Sequence, residues 1–112
     1  MSNEALSGNL KITGLSGMYS GQDIPIAPDD YVIIGRDTEM ANIVINQNNS
    51  KISRKHCSIR FDSGRNIYMV TDYSTNGTFV DAGSRLAANV AVPVQRGSVI
   101  SIGSRENSFK LG

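Results

Sequence analysis

The chain has 112 residues, of which 39% are hydrophobic, and its 11 lysines and arginines against 10 acids give a net charge of +1. This length predicts one domain with its own core, and the near-neutral charge argues against indiscriminate nucleic-acid binding, which needs a large basic surplus. One cysteine and one histidine exclude an internal disulfide and a thiolate zinc cluster, so no metal or other cofactor is expected.

Short strands separated by turns predominate along the chain. Glycines and polar clusters interrupt it about every ten residues, which is the spacing of an all-β sandwich or barrel. No stretch keeps apolar residues at helical spacing for three turns. The pattern therefore predicts an all-β fold, a β-sandwich of two mostly antiparallel sheets. The predicted strands are residues 9–13, 31–34, 43–45, 57–61, 67–71, 78–80, 90–94, 99–102 and 108–111.

The apolar patterns of these strands differ. Residues 31–34 and 43–45 are continuously apolar, as buried strands can be. Residues 57–61 and 90–94 repeat their larger apolar side chains at a period of two, as in strands with one buried face. In a sandwich the loops at one end converge on one surface, so we expect function to lie in the loops.

The domain organisation is simple. Residues 1–8 are expected to be a flexible N-terminal segment, and residues 9–112 a single domain. No apolar run approaches the about 20 residues that span a membrane, and the first residues lack the basic and apolar regions of a signal peptide. We therefore expect a cytoplasmic protein.

The first loop of interest opens with Gly35 and Arg36, directly after the strand at 31–34. Glycine permits a sharp backbone turn, and the planar guanidinium of arginine suits a phosphate or carbonyl oxygen. Taken alone, this pair is a very weak signal and is more typical of an ordinary surface turn.

Basic residues are concentrated in the second loop. Residues 1–39 hold six acids against two bases, whereas residues 40–112 hold nine bases against four acids. Four of these bases fall within ten residues that contain no acid. Such a run is more often a solvated loop, but its clustering in a nearly neutral chain also fits a local anion site, and composition alone does not decide between the two interpretations. The four bases are Lys51, Arg54, Lys55 and Arg60.

The same loop contains the one histidine of the chain. Ser53 supplies a hydroxyl and Arg54 a guanidinium on a tight bend, a combination that can hold a dianion. His56 follows them at the entry to the strand at 57–61. We expect His56 to bridge loop backbones through hydrogen bonds rather than to act as a catalyst or a ligand.

The third loop, residues 74–78, has the sequence Ser-Thr-Asn-Gly-Thr between the strands at 67–71 and 78–80. Asn-Gly between two strands is a strong hairpin signal, so one interpretation is a type I′ turn that joins them. A plain hairpin does not need the three hydroxyls. Asn76 could brace the turn or present its amide to an extended peptide backbone, and one such side chain can do both.

In this order and at this spacing, the three loops resemble the motifs of forkhead-associated (FHA) domains. Residues 42–45 are similar to the family's segment between the first two motifs, and residues 97–103 look like its closing strand. The resemblance extends over residues 10–111, and it rests on three motifs in series because each one alone is weak. It implies an eleven-stranded β-sandwich that binds phosphothreonine peptides through loops at one end.

The resemblance also implies a role for each matching residue. Arg36 would contact the phosphate or the peptide backbone beside it, Ser53 would hydrogen-bond a phosphate oxygen, and Arg54 would add a charged contact. Thr75 would lie against the phosphate, and Asn76 would bond the peptide main chain. The structural residues of the motifs, as implied by the family, are Gly35, His56, Gly77 and Thr78.

Three features concern peptide preference. Lys51 lies where the family tunes recognition of the residues after the phosphothreonine, so it is a specificity candidate. The family often has Asn-Gly soon after the third motif, where this chain has Val-Asp-Ala-Gly at residues 80–83. The common Gly-Asp of the last motif is Gly97-Ser98 here. Neither departure belongs to the phosphate pocket, so both bear on flanking loops.

The function expected is therefore a phosphothreonine-dependent protein- or peptide-binding module, the signalling adaptor domain of a larger regulatory protein. Its partner would be a Thr-phosphorylated protein, a substrate of a Ser/Thr kinase. The domain would bind it as a monomer and without a cofactor.

Three other functions are compatible with parts of the sequence. An enzyme could use Ser53 and His56 as nucleophile and base, but neither an orienting acid nor an oxyanion site is indicated. A nucleic-acid binder would use the basic loop, yet aromatic residues make up only 6% and tryptophan is absent, which leaves few stacking platforms. A phospho-independent interaction scaffold with the same fold would bind phosphorylated and plain peptides equally.

Overall fold

Eleven β-strands and no helix make up the part of the chain that the computed structural model describes, residues 10–45, 51–81, 83–103 and 105–112. Within these ranges there is thus no helix of the length and apolarity that crossing a membrane requires. The strands are β1 (Lys11–Ser16), β2 (Asp23–Pro25), β3 (Tyr31–Gly35), β4 (Ile43–Val44), β5 (Cys57–Asp62), β6 (Ile67–Asp72), β7 (Thr78–Val80), β8 (Ser84–Arg85), β9 (Ala91–Val94), β10 (Val99–Ile102) and β11 (Asn107–Leu111).

The strands form two sheets that enclose one core. The six-stranded sheet has the order β2-β1-β11-β10-β7-β8, and the five-stranded sheet has the order β4-β3-β5-β6-β9. Neighbouring strands are antiparallel except β3 and β4, which are parallel. The predicted sandwich of two mostly antiparallel sheets with about eleven strands is confirmed.

The nine predicted strands all occur, with small shifts at their ends. The sequence missed β2 and β8, which have only three and two residues. Such strands are too short to show a period of two, and both lie at the edges of the six-stranded sheet. The predicted flexible segment 1–8 and residue 9, where the predicted domain begins, lie outside the described residues.

The core lies between the sheets, and alternation places β5 in it as predicted. Cys57, Ile59 and Phe61 are buried, while Arg60 points to the other side. The continuous apolar run at residues 31–34 is only partly buried, because Tyr31 is 66% exposed. Among the described residues, no further layer covers the outer face of the five-stranded sheet. There the Arg60 guanidinium lies 5.7 Å from the centre of the Tyr31 ring.

Tyr19, in the turn between β1 and β2, connects the two sheets. Its hydroxyl donates to the oxygen of Val44 at 3.0 Å and accepts from the nitrogen of Val44 at 3.2 Å. Its ring packs against Phe109, with 6.2 Å between the ring centres. Because β4 is the outermost strand of its sheet, Tyr19 satisfies main-chain groups that the edge would otherwise expose.

The Asn-Gly of the third loop does not form a hairpin. The flanking strands β6 and β7 belong to different sheets, so the loop carries the chain from one sheet to the other. β6 pairs with β5 and β9, and β7 pairs with β10 and β8. The type I′ interpretation is therefore wrong, because β6 and β7 pair with other strands and not with each other. Gly77 still serves the loop through its positive φ of 105°.

Candidate functional site

The first two loops are joined at one end of the sandwich by main-chain hydrogen bonds. The nitrogen of Arg36 donates to the oxygen of Ser53 at 3.0 Å, and the nitrogen of Asp37 donates to the oxygen of Arg54 at 3.2 Å. Gly35 permits this approach, because a Cβ at that position would lie 2.0 Å from the oxygen of Arg54. The loop between β3 and β4 is thus held against the loop between β4 and β5.

Side chains connect these loops further and reach the third one. The Nε of Arg36 donates to the oxygen of Ile52 at 3.0 Å, which uses one of the five N–H donors of the guanidinium. The main-chain nitrogen of Thr75 donates to the Oγ of Ser53 at 3.1 Å. The Ser53 hydroxyl therefore keeps its own proton for another acceptor.

Asn76 makes a further connection between the third loop and the second. Its Nδ2 donates to the oxygen of Lys51 at 3.3 Å, so the third loop is tied to both ends of the segment 51–53. Contacts thus bring together four of the five residues predicted to bind phosphopeptide. Arg54 is exposed on the same loop, and within the described ranges no side-chain hydrogen bond joins it to the other four. The binding roles of all five stay predictions.

His56 lies fully buried between the second and third loops. Its Nδ1 accepts a hydrogen bond from the nitrogen of Ser53 at 3.1 Å, and its Nε2 lies 2.9 Å from the oxygen of Gly77. Since a carbonyl can only accept, these partners require the neutral tautomer that carries its proton on Nε2. Burial lowers the pKa of His56, and the bond to Gly77 opposes this shift only in part.

The lowered pKa of His56 predicts a pH-dependent stability. Well above its ordinary pKa of about 6.5 the imidazole is neutral in both the folded and the unfolded chain. Below that value the unfolded chain takes up a proton first, so the free energy of unfolding falls until the pH reaches the lowered folded pKa. Urea unfolding of the peptide-free protein from about pH 7.5 to about pH 5.5 measures this slope. The His56→Asn variant is expected to lose it, and an unchanged slope would contradict the assignment.

Asp72, at the end of β6, organises the third loop and was not among the predicted site residues. The residue is fully buried. Its Oδ1 accepts from the nitrogen of Ser74 at 3.0 Å, the Oγ of Ser74 at 2.6 Å and the Oγ1 of Thr78 at 2.9 Å. The Oγ of Ser74 accepts in turn from the nitrogen of Gly77 at 2.8 Å. An Asp two residues before a Ser is the pattern of an Asx turn, which is the sequence signal that was available.

Arg85, in β8, reaches the same loop from the edge of the six-stranded sheet. Its Nη2 donates to the oxygen of Thr75 at 3.3 Å and lies 4.0 Å from the Oδ2 of Asp72. Across the described part of the chain, this Oδ2 is the one buried side-chain oxygen or nitrogen without a hydrogen-bond partner. Arg85 therefore supplies a neighbouring positive charge to a buried carboxyl group. The sequence around Arg85 does not indicate this contact, because β8 has only two residues and shows no strand pattern.

The groups that meet at this end suit an anion beside an extended backbone. Arg36, Lys51 and Arg54 are exposed cations, Ser53 offers a hydroxyl, and the amide of Asn76 can donate and accept. No cluster of three or more His, Cys, Asp or Glu side chains that could hold a metal ion occurs in the ranges that the structure covers. The site is therefore suited to polar recognition of a phosphate ester.

Comparison with known proteins identifies similar folds. The family model of the FHA domain matches residues 32–103. The chain is similar to the FHA domain of MEK1 (TM-score 0.76, 21% identity, covering 97% of this chain and 95% of that one). It is also similar to the same domain in complex with a phosphothreonine peptide of HOP1 (0.69, 25%, 92% and 96%). A third similar structure is the FHA domain of a hypothetical protein from Arabidopsis thaliana (0.74, 27%, 91% and 81%). No curated protein matches the chain.

Proposed function

The chain belongs to the FHA domain family, and from this we propose that it is a phosphothreonine-dependent peptide-binding module. FHA domains are binding modules rather than enzymes. The observation that carries the proposal is the meeting of Arg36, Ser53, Thr75 and Asn76 from three separate loops. The MEK1 domain, which has the same fold, binds a phosphothreonine peptide in its complex.

In the proposed complex each residue has a distinct task. The guanidinium of Arg36 and the free hydroxyl proton of Ser53 hold phosphate oxygens, with Arg54 as a further cation. Thr75 lies against the phosphate, and Asn76 bonds the peptide main chain. The main-chain oxygen of Lys51 accepts from the side-chain amide of Asn76 and so holds that amide in place. Lys51 is placed to influence the residues that follow the phosphothreonine.

The energies are consistent with reversible, phosphate-dependent binding. A phosphothreonine carries about −1.5 to −2 charges at neutral pH, and hydrogen bonds to charged groups contribute about 1.5–3 kcal/mol each. Two or three such bonds must offset desolvation and the ordering of a flexible peptide, which leaves a modest affinity. The extra methyl of threonine adds about 0.8 kcal/mol, so a stricter preference over phosphoserine would require a fixed side-chain rotamer.

A catalytic role is disfavoured by the contacts of His56. Its Nδ1 accepts from the main-chain nitrogen of Ser53, not from the Ser53 hydroxyl, and its Nε2 bonds the oxygen of Gly77. Neither ring nitrogen is thus available to activate Ser53 as a nucleophile. The proposed domain binds without catalysis and without a cofactor.

The proposed partner is a protein phosphorylated on threonine, because Ser/Thr kinases produce this ligand. The proposed setting is cytoplasmic signalling, in which the domain acts as a monomer within a larger regulatory protein. These features follow from the proposed ligand chemistry and from the family.

An oriented peptide library with a fixed phosphothreonine tests the proposal. We expect selected peptides to bind, their unphosphorylated twins to show no measurable binding, and their phosphoserine twins to bind at least about fourfold more weakly. Equal binding of phosphorylated and plain peptides would instead identify a phospho-independent scaffold. Release of inorganic phosphate would indicate an enzyme, and salt-sensitive binding of a random oligonucleotide would indicate a nucleic-acid binder.

A further inference from the structure

Two arginines flank an aromatic ring beside the site, and we call Phe79, Arg85 and Arg105 the arginine patch. Phe79 in β7 and Arg85 in β8 are directly paired across the strands. The guanidinium carbon of Arg105, in the turn between β10 and β11, lies 4.3 Å from the centre of the Phe79 ring. The side chain of Arg85 is 48% exposed, and Arg105 is exposed as well.

The patch adjoins the candidate site directly. Arg85 donates to the oxygen of Thr75. The β10–β11 turn begins at Gly103, whose nitrogen donates to the oxygen of Gly77 at 3.1 Å. A Cβ at Gly103 would lie 3.0 Å from the oxygen of Lys51, which is also the partner of Asn76. The turn that carries Arg105 thus forms a wall of the site on the side of Asn76.

Arg105 is held in place without an ion pair. Its Nη2 donates to the oxygen of Gly83 at 3.5 Å, and its guanidinium stacks on Phe79. Over the described residues no carboxylate oxygen lies within 4.0 Å of Arg105, although the neighbouring Glu106 is exposed. Stacking uses one face of the guanidinium and leaves N–H donors at its edge for an anion.

The β3–β4 loop of the site carries acidic residues. Asp37 and Glu39 follow Arg36 in the β3–β4 loop, where the Oδ1 of Asp37 accepts from the nitrogen of Glu39 at 2.8 Å. This loop is bonded to Ser53 and Arg54, whereas the turn that carries Arg105 adjoins Lys51 and Gly77. This asymmetry disfavours an acidic segment near Asp37 and favours it near Arg105.

We infer that the arginine patch is a second contact region that selects aspartate or glutamate in the segment flanking the phosphothreonine of the same partner. The inference rests on the proposed function and deepens it. Arg105, already fixed on Phe79, binds the carboxylate with little additional ordering. Arg85 adds positive charge while it holds the Thr75 backbone.

Peptide binding by wild type and two arginine variants tests this inference. Three phosphothreonine peptides are compared, with neutral flanks, with aspartates before the phosphothreonine and with aspartates after it. We expect wild type to bind one of the two acidic peptides about fivefold more tightly than the neutral one. Arg105→Gln is expected to abolish that preference, measured as the ratio of the affinities of the variant for the acidic and neutral peptides, and Arg105→Lys is expected to keep part of it.

Arg96→Gln is the matched control, because Arg96 also stacks on an aromatic ring, 5.4 Å from the centre of Phe61, but at the other end of β10. This variant should keep the preference. Equal affinity of wild type for the neutral and acidic peptides, or equal loss of preference in Arg96→Gln and Arg105→Gln, would overturn the inference alone. If no phosphothreonine peptide bound wild type, the proposed function would fail and the inference with it.

Discussion

Replacing Arg36 by alanine is expected to weaken binding of a neutral-flanked phosphothreonine peptide by at least about tenfold, the equivalent of one hydrogen bond to a charged group. Ser53→Ala should have an effect of similar size. It removes the hydroxyl that would donate to the phosphate and also deprives the nitrogen of Thr75 of its acceptor. Arg36→Lys keeps the charge but not the planar fork, so we expect an intermediate loss. Fluorescence anisotropy with a labelled peptide measures all three affinities.

Stability and a distant arginine provide the controls for this experiment. Arg36 is exposed and donates one hydrogen bond to Ile52, so its removal should lower the free energy of unfolding by only about 0.5–1.5 kcal/mol. Arg65→Ala, in the turn between β5 and β6 at the other end of the sandwich, should bind peptide as wild type does. Retained affinity in both Arg36→Ala and Ser53→Ala would show that the phosphate binds elsewhere.

Replacing Asp72 by alanine is expected to lower the free energy of unfolding by about 3 kcal/mol or more. The change leaves the buried hydroxyl of Thr78 and two half-buried donors of Ser74 without their acceptor, and a donor left unsatisfied away from water costs about 1–3 kcal/mol. Because the loop carries Thr75 and Asn76, the affinity for phosphothreonine peptide should fall as well. Urea unfolding measures the first effect and peptide titration of the folded variant the second.

Asp72→Asn separates the hydrogen bonds of this residue from its charge. The amide oxygen can still accept at the Oδ1 position, so this variant should be clearly more stable than Asp72→Ala. An asparagine variant as unstable as the alanine variant would show that the charge near Arg85, rather than the three hydrogen bonds, holds the loop. Stability close to wild type in both variants would contradict the role given to Asp72.

The strands were predictable where a repeated pattern coincided with burial. The period of two at residues 57–61 predicts the inward side of β5, because the same alternation governs a pleated strand. The continuous apolar run at 31–34 was misleading, since sequence does not tell whether a second layer covers a sheet. β2 and β8 have only three and two residues, so their own sequences show no strand pattern. They are recognisable as strands only through their pairing with β1 and β7.

The loop residues of the candidate site could be predicted from the sequence, but the contact between Asp72 and Arg85, which hold the third loop in place, could not. Gly35 with Arg36, and Ser53 with His56, are close in sequence and carry their chemistry in residue type. Arg85 meets Asp72 only through the pairing of β7 with β8, a contact that depends on the finished fold. The Asn-Gly signal at residues 76–77 also failed, because β6 and β7 lie in different sheets and each pairs with other strands.

The hydroxyl of Tyr19 has a consequence for how copies of the chain can associate. Since it occupies both the nitrogen and the oxygen of Val44, the outer border of β4 offers no vacant main-chain groups at that residue to an incoming polypeptide. The side chain of Tyr19 thereby obstructs the addition of a strand from another molecule at this edge of the five-stranded sheet. Such intermolecular strand addition is a route to fibrillar polymerisation.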